Sequence, residues 1–241
     1  MSKLAWDQSG DKVFETGTKK GVLYPWMDAE GTPGTDGYKA AGYRQGYAWN
    51  GLTAVTESPD GAEETALYAD DIKYLSMRSA EEFNFTIEAY TYPDAWAQCD
   101  GSANLVANVP GVTVGQQKRR MFGFSYVSTV GNDTEGNDYG EKIHLIYGAT
   151  AAPSERAYET INDSPEAITF SWECNTTAID MPGGLKRAAE ITIDTTRLNE
   201  AGRTALTTLK NALYGTDNAE PYLPTPAQVF EMFGGDLNAA G

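Results

Sequence analysis

Apolar and polar residues alternate with a period of two in five separated stretches of this 241-residue chain. That spacing marks half-buried antiparallel strands, one face on a core and the other toward water or a partner. Phe83, Phe85, Ile87 and Ala89 alternate with Asn84, Thr86 and Glu88, and Phe122, Phe124 and Tyr126 with Gly123 and Ser125. Ile143, Leu145 and Tyr147 flank His144, and Ile168, Phe170, Trp172 and Cys174 alternate with Thr169, Ser171 and Glu173. Ile191 and Ile193 alternate with Glu190, Thr192 and Asp194. The pattern predicts a mainly β fold, a β-sandwich or partial barrel with a flanking α-helix. The run Leu67 to Arg78 reads as a further strand whose apolar phase slips between Ile72/Tyr74 and Leu75/Met77, as a β-bulge or two-sided burial would produce.

Helical signals concentrate at 199–233. Asn199 can cap a helix whose apolar stripe is Ala205, Leu206, Leu209, Ala212 and Leu213, and Gly215 can stop it. Thr225 and Gln228 have capping-box spacing, with Pro226 at a first helical position and Gly234 beyond the end. The organisation expected is one domain over 1–241 with an N-terminal arm, long loops near 28–66 and 128–141, and this helical segment. Tyr38, Tyr43, Tyr47 and Trp49 in the first loop suggest docking on something, another subunit included. No repeat of 20–50 residues is visible.

Charge narrows the function classes. The 18 Lys+Arg against 34 Asp+Glu give 18 − 34 = −16, so phosphate-led binding of nucleic acid is disfavoured. At 41 % hydrophobic and 11 % aromatic residues the chain is too apolar for an acidic disordered one. The sequence shows no membrane-length apolar run, and Met1-Ser-Lys-Leu-Ala-Trp-Asp lacks an apolar h-region, so neither a membrane span nor the secretory route is expected. Cys99 and Cys174 lie outside any CxxC and read as free thiols, Cys174 as a small buried hydrophobe.

Little local chemistry stands out. The single histidine, His144, sits on the polar phase of its strand and reads as a surface or partner-facing residue, with no GxSxG elbow in support. A multi-histidine metal site is excluded by count, and no metal or cofactor is expected. Asp133, Glu135, Asn137 and Asp138 are hard-cation donors, but with Gly136 at the sixth position of an EF-hand loop the first position is Gly131 and the twelfth Lys142, so the spacing fails. Gly31, Gly34 and Gly37 lack the flanking residues of a phosphate loop. Nothing singles out a carboxylate pair for acid/base work. The one basic cluster, Lys118-Arg119-Arg120, fits an electrostatic latch for an acidic neighbour.

The segments at 49–63 (Trp49-Asn-Gly-Leu-Thr-Ala-Val-Thr-Glu-Ser-Pro-Asp-Gly-Ala-Glu), at 66–75 (Ala66-Leu-Tyr-Ala-Asp-Asp-Ile-Lys-Tyr-Leu) and at 87–94 (Ile87-Glu-Ala-Tyr-Thr-Tyr-Pro-Asp) resemble the major tail protein of long-tailed siphophages, particularly those of Gram-positive hosts. Gly131-Asn-Asp-Thr-Glu-Gly-Asn-Asp-Tyr-Gly, His144-Leu-Ile-Tyr-Gly, Ile161-Asn-Asp-Ser-Pro-Glu-Ala-Ile-Thr-Phe-Ser-Trp-Glu and the Leu209-to-Tyr214 helix are similar to it as well. The resemblance runs in order from about residue 3 to about residue 233 and contains no mechanistic motif.

It implies a phage tail-tube fold and a structural, non-enzymatic role: hexameric rings stacked into a hollow tube around a tape-measure protein, started from a tail-tip initiator. Double-stranded DNA would pass through the lumen without specific binding. The subunit would be made in the host cytoplasm and end in the virion tail. Edge strands could then pair between subunits and close a barrel with no free edge. A negative lumen would let DNA slide, with Glu88 and Glu173 as candidate wall residues. Asn132, Asp133, Glu135, Asn137 and Asp138 are candidates for the contact between rings, and Lys118, Arg119 and Arg120 for an electrostatic interface. A carbohydrate-binding β-sandwich with exposed Trp and Tyr platforms, and a glycoside hydrolase on a β-scaffold, stay open as alternatives.

Overall fold

Five alternating stretches pair, with neighbours, into one nine-stranded sheet whose mapped ladders are all antiparallel. The computed structural model describes residues 4–31, 39–61, 63–106, 111–158, 160 and 167–235. In chain order the strands are β1 (Val13–Met27), β2 (Gly42–Tyr43), β3 (Tyr47–Trp49), β4 (Leu52–Glu57), β5 (Asp60–Gly61), β6 (Glu64–Ala69), β7 (Ile72–Arg78) and β8 (Glu81–Glu82). They continue as β9 (Asn84–Ala89), β10 (Ala103–Asn104), β11 (Thr113–Val114), β12 (Phe122–Asn132), β13 (Gly136–Ala151), β14 (Phe170–Thr176) and β15 (Glu190–Asp194). Helices α1 (Glu200–Tyr214) and α2 (Pro226–Met232) follow.

The large sheet runs β2-β1-β12-β13-β14-β9-β4, with β3 on β1 and β15 on β13. It folds over so that its inner face surrounds one core: Leu23, Trp49, Phe85, Ile87, Phe122, Phe124, Ile146, Trp172 and Cys174 pack there with Trp96 of a short 3-10 turn. Trp49 meets Trp96 and Trp172 edge-on with ring centroids 4.9 and 5.5 Å apart, a geometry that aromatic quadrupoles favour. This is the mainly β, sandwich or partial-barrel architecture that the alternation predicts.

A second core lies on the outer face of the central strands. Val22, Tyr24, Val127, Ile143, Leu145, Tyr147 and Ile193 meet Leu209 and Leu213 of α1 and Val229 of α2. Paired strands β12 and β13 therefore send their apolar phases to opposite sides: Phe122, Phe124 and Tyr126 inward, Ile143, Leu145 and Tyr147 toward the helices. Both faces are covered, so the polar members of the alternation are buried too, among them Ser125 and His144.

The end caps follow from sequence. The Asn199 side chain accepts from the Gly202 N–H, and Gly215 follows α1 at φ 76°. Thr225 and Gln228 form the reciprocal capping box with Pro226 at the helix start, although 215–225 between the helices is not helical. Cys99 and Cys174 are buried free thiols, and burial pushes the Cys99 thiol up to about 12.

Four sequence expectations change. Residues 128–141 are not a loop: β12 and β13 continue through them and only Asp133 to Glu135 lie outside strands. The stretch 28–66 contains β2, β3, β4, β5 and the start of β6, while 32–38 and 62, with Gly34, Gly37 and Tyr38, lie outside the described residues. The run Leu67 to Arg78 is two strands, because Asp70 and Asp71 adopt φ of 50° and 62° and reverse the chain in a two-residue turn. The slip there is a bulge, with Leu67 opposite Leu75 and Tyr68 opposite Lys73. Ile168, read as part of an alternating strand, precedes β14 and is exposed.

Candidate functional site

Strand β4 ends the sheet path with β9 on one side and no ladder on the other among the described residues. The β4–β9 ladder continues outward through β5–β8 into the β6–β7 hairpin, forming a two-stranded arm. Tyr68 and Tyr74 are 72 % and 73 % exposed on it, and Leu67, Ile72, Leu75 and Met77 are also exposed. Isolated hairpins are marginal in water, and a cluster of bare apolar side chains is a surface that association can cover. On the polar side Glu64 accepts from Lys73 Nζ and Ser76 Oγ, both at 2.5 Å. Those hydrogen bonds, with the nearby Arg78, hold the Glu64 carboxyl below its usual range.

The ribbon of β1, β12 and β13 ends at Asp133 to Glu135. Asn132 Oδ1 accepts from the backbone N–H groups of Thr134 and Glu135 at 3.2 and 2.6 Å. Asp133 Oδ1 accepts from the Gly10 N–H at 3.0 Å. Asn132 is buried as a turn-former, and Asp133, Glu135, Asn137 and Asp138 are exposed. The structure thus separates one structural member of this predicted set from four that face outward.

Glu88 and Glu173 lie on one face of the β9–β14 ladder. Their neighbours Ile87 and Trp172 pair directly and point into the core, so these two carboxylates point away from it. Lys118, Arg119 and Arg120 precede β12. The Arg120 backbone N–H donates to Gln98 O at 2.9 Å, and among the described residues none of the three side chains pairs with a carboxylate.

His144 is buried, contrary to the expectation from its polar phase. It opposes Tyr126 across β12–β13 and stacks on its ring, with centroids 4.4 Å apart and planes 1° apart. Ser128 Oγ lies 3.1 Å from Nε2. On the other side, Nδ1 faces Glu190 Oε1 of β15 at 3.3 Å and Glu57 Oε1 of β4 at 3.5 Å. The Tyr126 hydroxyl donates to Glu57, and Thr192 Oγ1 donates to Glu190 Oε1 at 2.7 Å. The hydrogen bond from His144 is the main cause that holds the Glu190 carboxyl below its ordinary range, against its burial. Burial, then the Glu57 carboxylate, raises the Tyr126 phenol far above its usual value, so it stays a donor.

Sequence reading missed this cluster because its members come from three strands with no shared spacing. The available signal was an inward-phase glutamate: Glu57 stands two residues after Val55, which packs on the inner core.

Trp49, Trp96 and Trp172 are buried, whereas Trp6, Tyr47, Tyr68, Tyr74, Tyr90, Tyr92 and Tyr158 are exposed. No family model matches the chain, and no curated protein matches it. Among solved structures, a chain of the cryo-EM structure of the anti-feeding prophage (AFP) baseplate, 6-fold symmetrised, is similar over 82 % of this chain and 100 % of that one, at 8 % identity and a TM-score of 0.33. A likeness that distant carries no functional argument.

Proposed function

We propose that this chain is a structural subunit of a bacteriophage tail tube, one tail-tube domain whose copies form rings and stack into a hollow conduit for DNA. The observation that carries the reading is the β6–β7 arm, with six large apolar side chains bare on a two-stranded hairpin. In a subunit that assembles, that surface is covered by a neighbour, and burial supplies the driving force for association. The resemblance of segments throughout the chain to siphophage major tail proteins supports the same reading.

Among the described residues no ladder covers the free edge of β4 or the outer edge of β1 at Val13–Lys19, and both are templates for intersubunit pairing, which a closed ring would use up. The shared outer face of Glu88 and Glu173 suits a lumen wall that repels phosphate, and Lys118, Arg119 and Arg120 suit an acidic neighbour in a chain of net charge −16. Asp133, Glu135, Asn137 and Asp138 are proposed at the contact between rings. The partners are further copies of the chain, a tape-measure protein and a tail-tip initiator. The particle is the virion tail, built in the host cytoplasm.

Negative-stain electron microscopy of concentrated protein, with mass by light scattering, tests the reading. Rings or tubes with a central hole are expected. A uniform monomer that stays so when the other tail proteins are supplied overturns it.

A further inference from the structure

The Glu57–His144–Glu190 cluster has two carboxylate oxygens aimed at one imidazole nitrogen. With Ser128 Oγ engaging Nε2, only Nδ1 is left to satisfy both. A proton on Nδ1 is one donor for two acceptors. The separations of 3.3 and 3.5 Å exceed the roughly 2.7–2.9 Å of a charge-assisted hydrogen bond. Among the described residues no lysine or arginine pairs with either carboxylate, so the cluster has more negative charge than its protein surroundings offset.

The spacing has a direct chemical reading. Donors about 2.0–2.2 Å from a tetrahedral cation sit about 3.4 Å apart, and one nitrogen with two carboxylate oxygens is a ligand set used by zinc. The ligand atoms here lie within 4.8 Å of one another. Supporting contacts are also in place: Ser128 on the far side of the imidazole, Tyr126 donating to Glu57 and Thr192 donating to Glu190. Glu57 is a third exposed, which leaves a path for entry and room for a water ligand.

We propose that Glu57, His144 and Glu190 form a zinc site that ties β4 to β13 and β15. The cation links two parts of the folded-over sheet that, among the described residues, share no ladder there. The site is independent of the tail-tube reading, because it lies within one subunit.

The test uses tag-free full-length chain stripped with chelator and titrated with Co2+ as a spectroscopic probe, then with Zn2+ to displace it. One equivalent of Co2+ with the visible absorption of a low-coordinate site, its displacement by Zn2+, and a melting temperature that climbs with free Zn2+ are expected. Glu57→Gln and Glu190→Gln should each weaken binding at least about tenfold, the scale seen even for loss of a supporting contact, while Glu173→Gln leaves it unchanged. Glu57→Gln carries the test if Glu190→Gln folds poorly, since it keeps the acceptor for Tyr126 on a partly exposed side chain. Absence of stoichiometric uptake, or uptake undiminished in both Gln variants, overturns the proposal.

Discussion

Two antiparallel hairpins, β12–β13 and β6–β7, invite opposite readings from sequence and meet opposite fates. In the first, apolar and polar residues alternate as though one face were wet, yet over 122–127 and 143–149 both faces are buried, one on the tryptophan-rich core and one under α1 and α2. In the second, apolar residues occupy both phases as though both faces were covered, yet the hairpin stands bare. Alternation therefore reports strand geometry, while coverage is decided by what else the chain, or another chain, brings to the face. Where the chain supplies the cover, polar members of the buried phase acquire partners. The Tyr24 hydroxyl reaches Ser125 Oγ at 3.2 Å and Leu213 O at 2.8 Å, and His144 gains Ser128 and two carboxylates.

The most severe way to probe the covered hairpin is to empty its inner face. Phe124→Ala removes a ring packed against Trp49 and Phe85, and should cost about 3–5 kcal/mol in urea unfolding. Leu209→Ala empties the helix side and should cost about 2–5 kcal/mol. If the second change fell near zero, the outer face would behave as a wet one, and the contrast with the arm would collapse.

Much of the fold was legible: strand positions at 84–89, 122–126, 143–147 and 170–174, the α1 stripe, and both N-caps follow local rules of spacing and capping. What was not legible depends on pairing. The two-residue Asp70-Asp71 turn was hidden because neither residue is glycine, although aspartate tolerates positive φ better than most side chains. Residues 128–141 read as a long loop between two strands, but Gly131 and Gly140 are close-approach positions within strands: a Cβ would meet Phe14 at 2.5 Å and Thr196 at 2.4 Å. Of the residues read as assembly candidates, Asp133, Glu135, Asn137, Asp138 and Glu173 are exposed, Glu88 and Arg119 are half-buried and Asn132 is buried, whereas the cluster at His144 exists only once β4 folds over β13 and β15.

Smaller effects should mark the borders of the covered region. Asn199→Ala leaves the Gly202 N–H without its acceptor and should cost about 1 kcal/mol. At Glu141, burial raises the carboxyl pKa, but Lys19 at 3.0 Å and Lys210 at 3.2 Å outweigh it and hold it below the ordinary value. A lowered folded-state pKa contributes stability that is present above the unfolded value and is lost as pH falls through the folded one. Glu141→Gln should therefore destabilise at neutral pH by less than about 1 kcal/mol, with the gap to wild type closing as the medium is acidified below the carboxylate range. A gap that widened on acidification would contradict that sign.

The smallest effect on the lone subunit belongs to the bare hairpin, and it separates the two regions most sharply. Leu67→Thr with Leu75→Thr replaces a cross-strand apolar pair by strand-compatible polar side chains. Both residues are exposed, so each change should alter monomer stability by no more than about 0.5 kcal/mol. The same pair of changes should abolish rings and tubes, because the contact that covers the arm would lose its apolar surface. A loss of 2 kcal/mol or more in the monomer would mean that the arm already folds against its own body in solution. Normal tubes with an unperturbed monomer would place the intersubunit contact elsewhere, with the β4 edge next in line. Paired measurement of chemical unfolding and electron microscopy on the same preparation distinguishes these outcomes, since each predicts a different combination of stability and assembly.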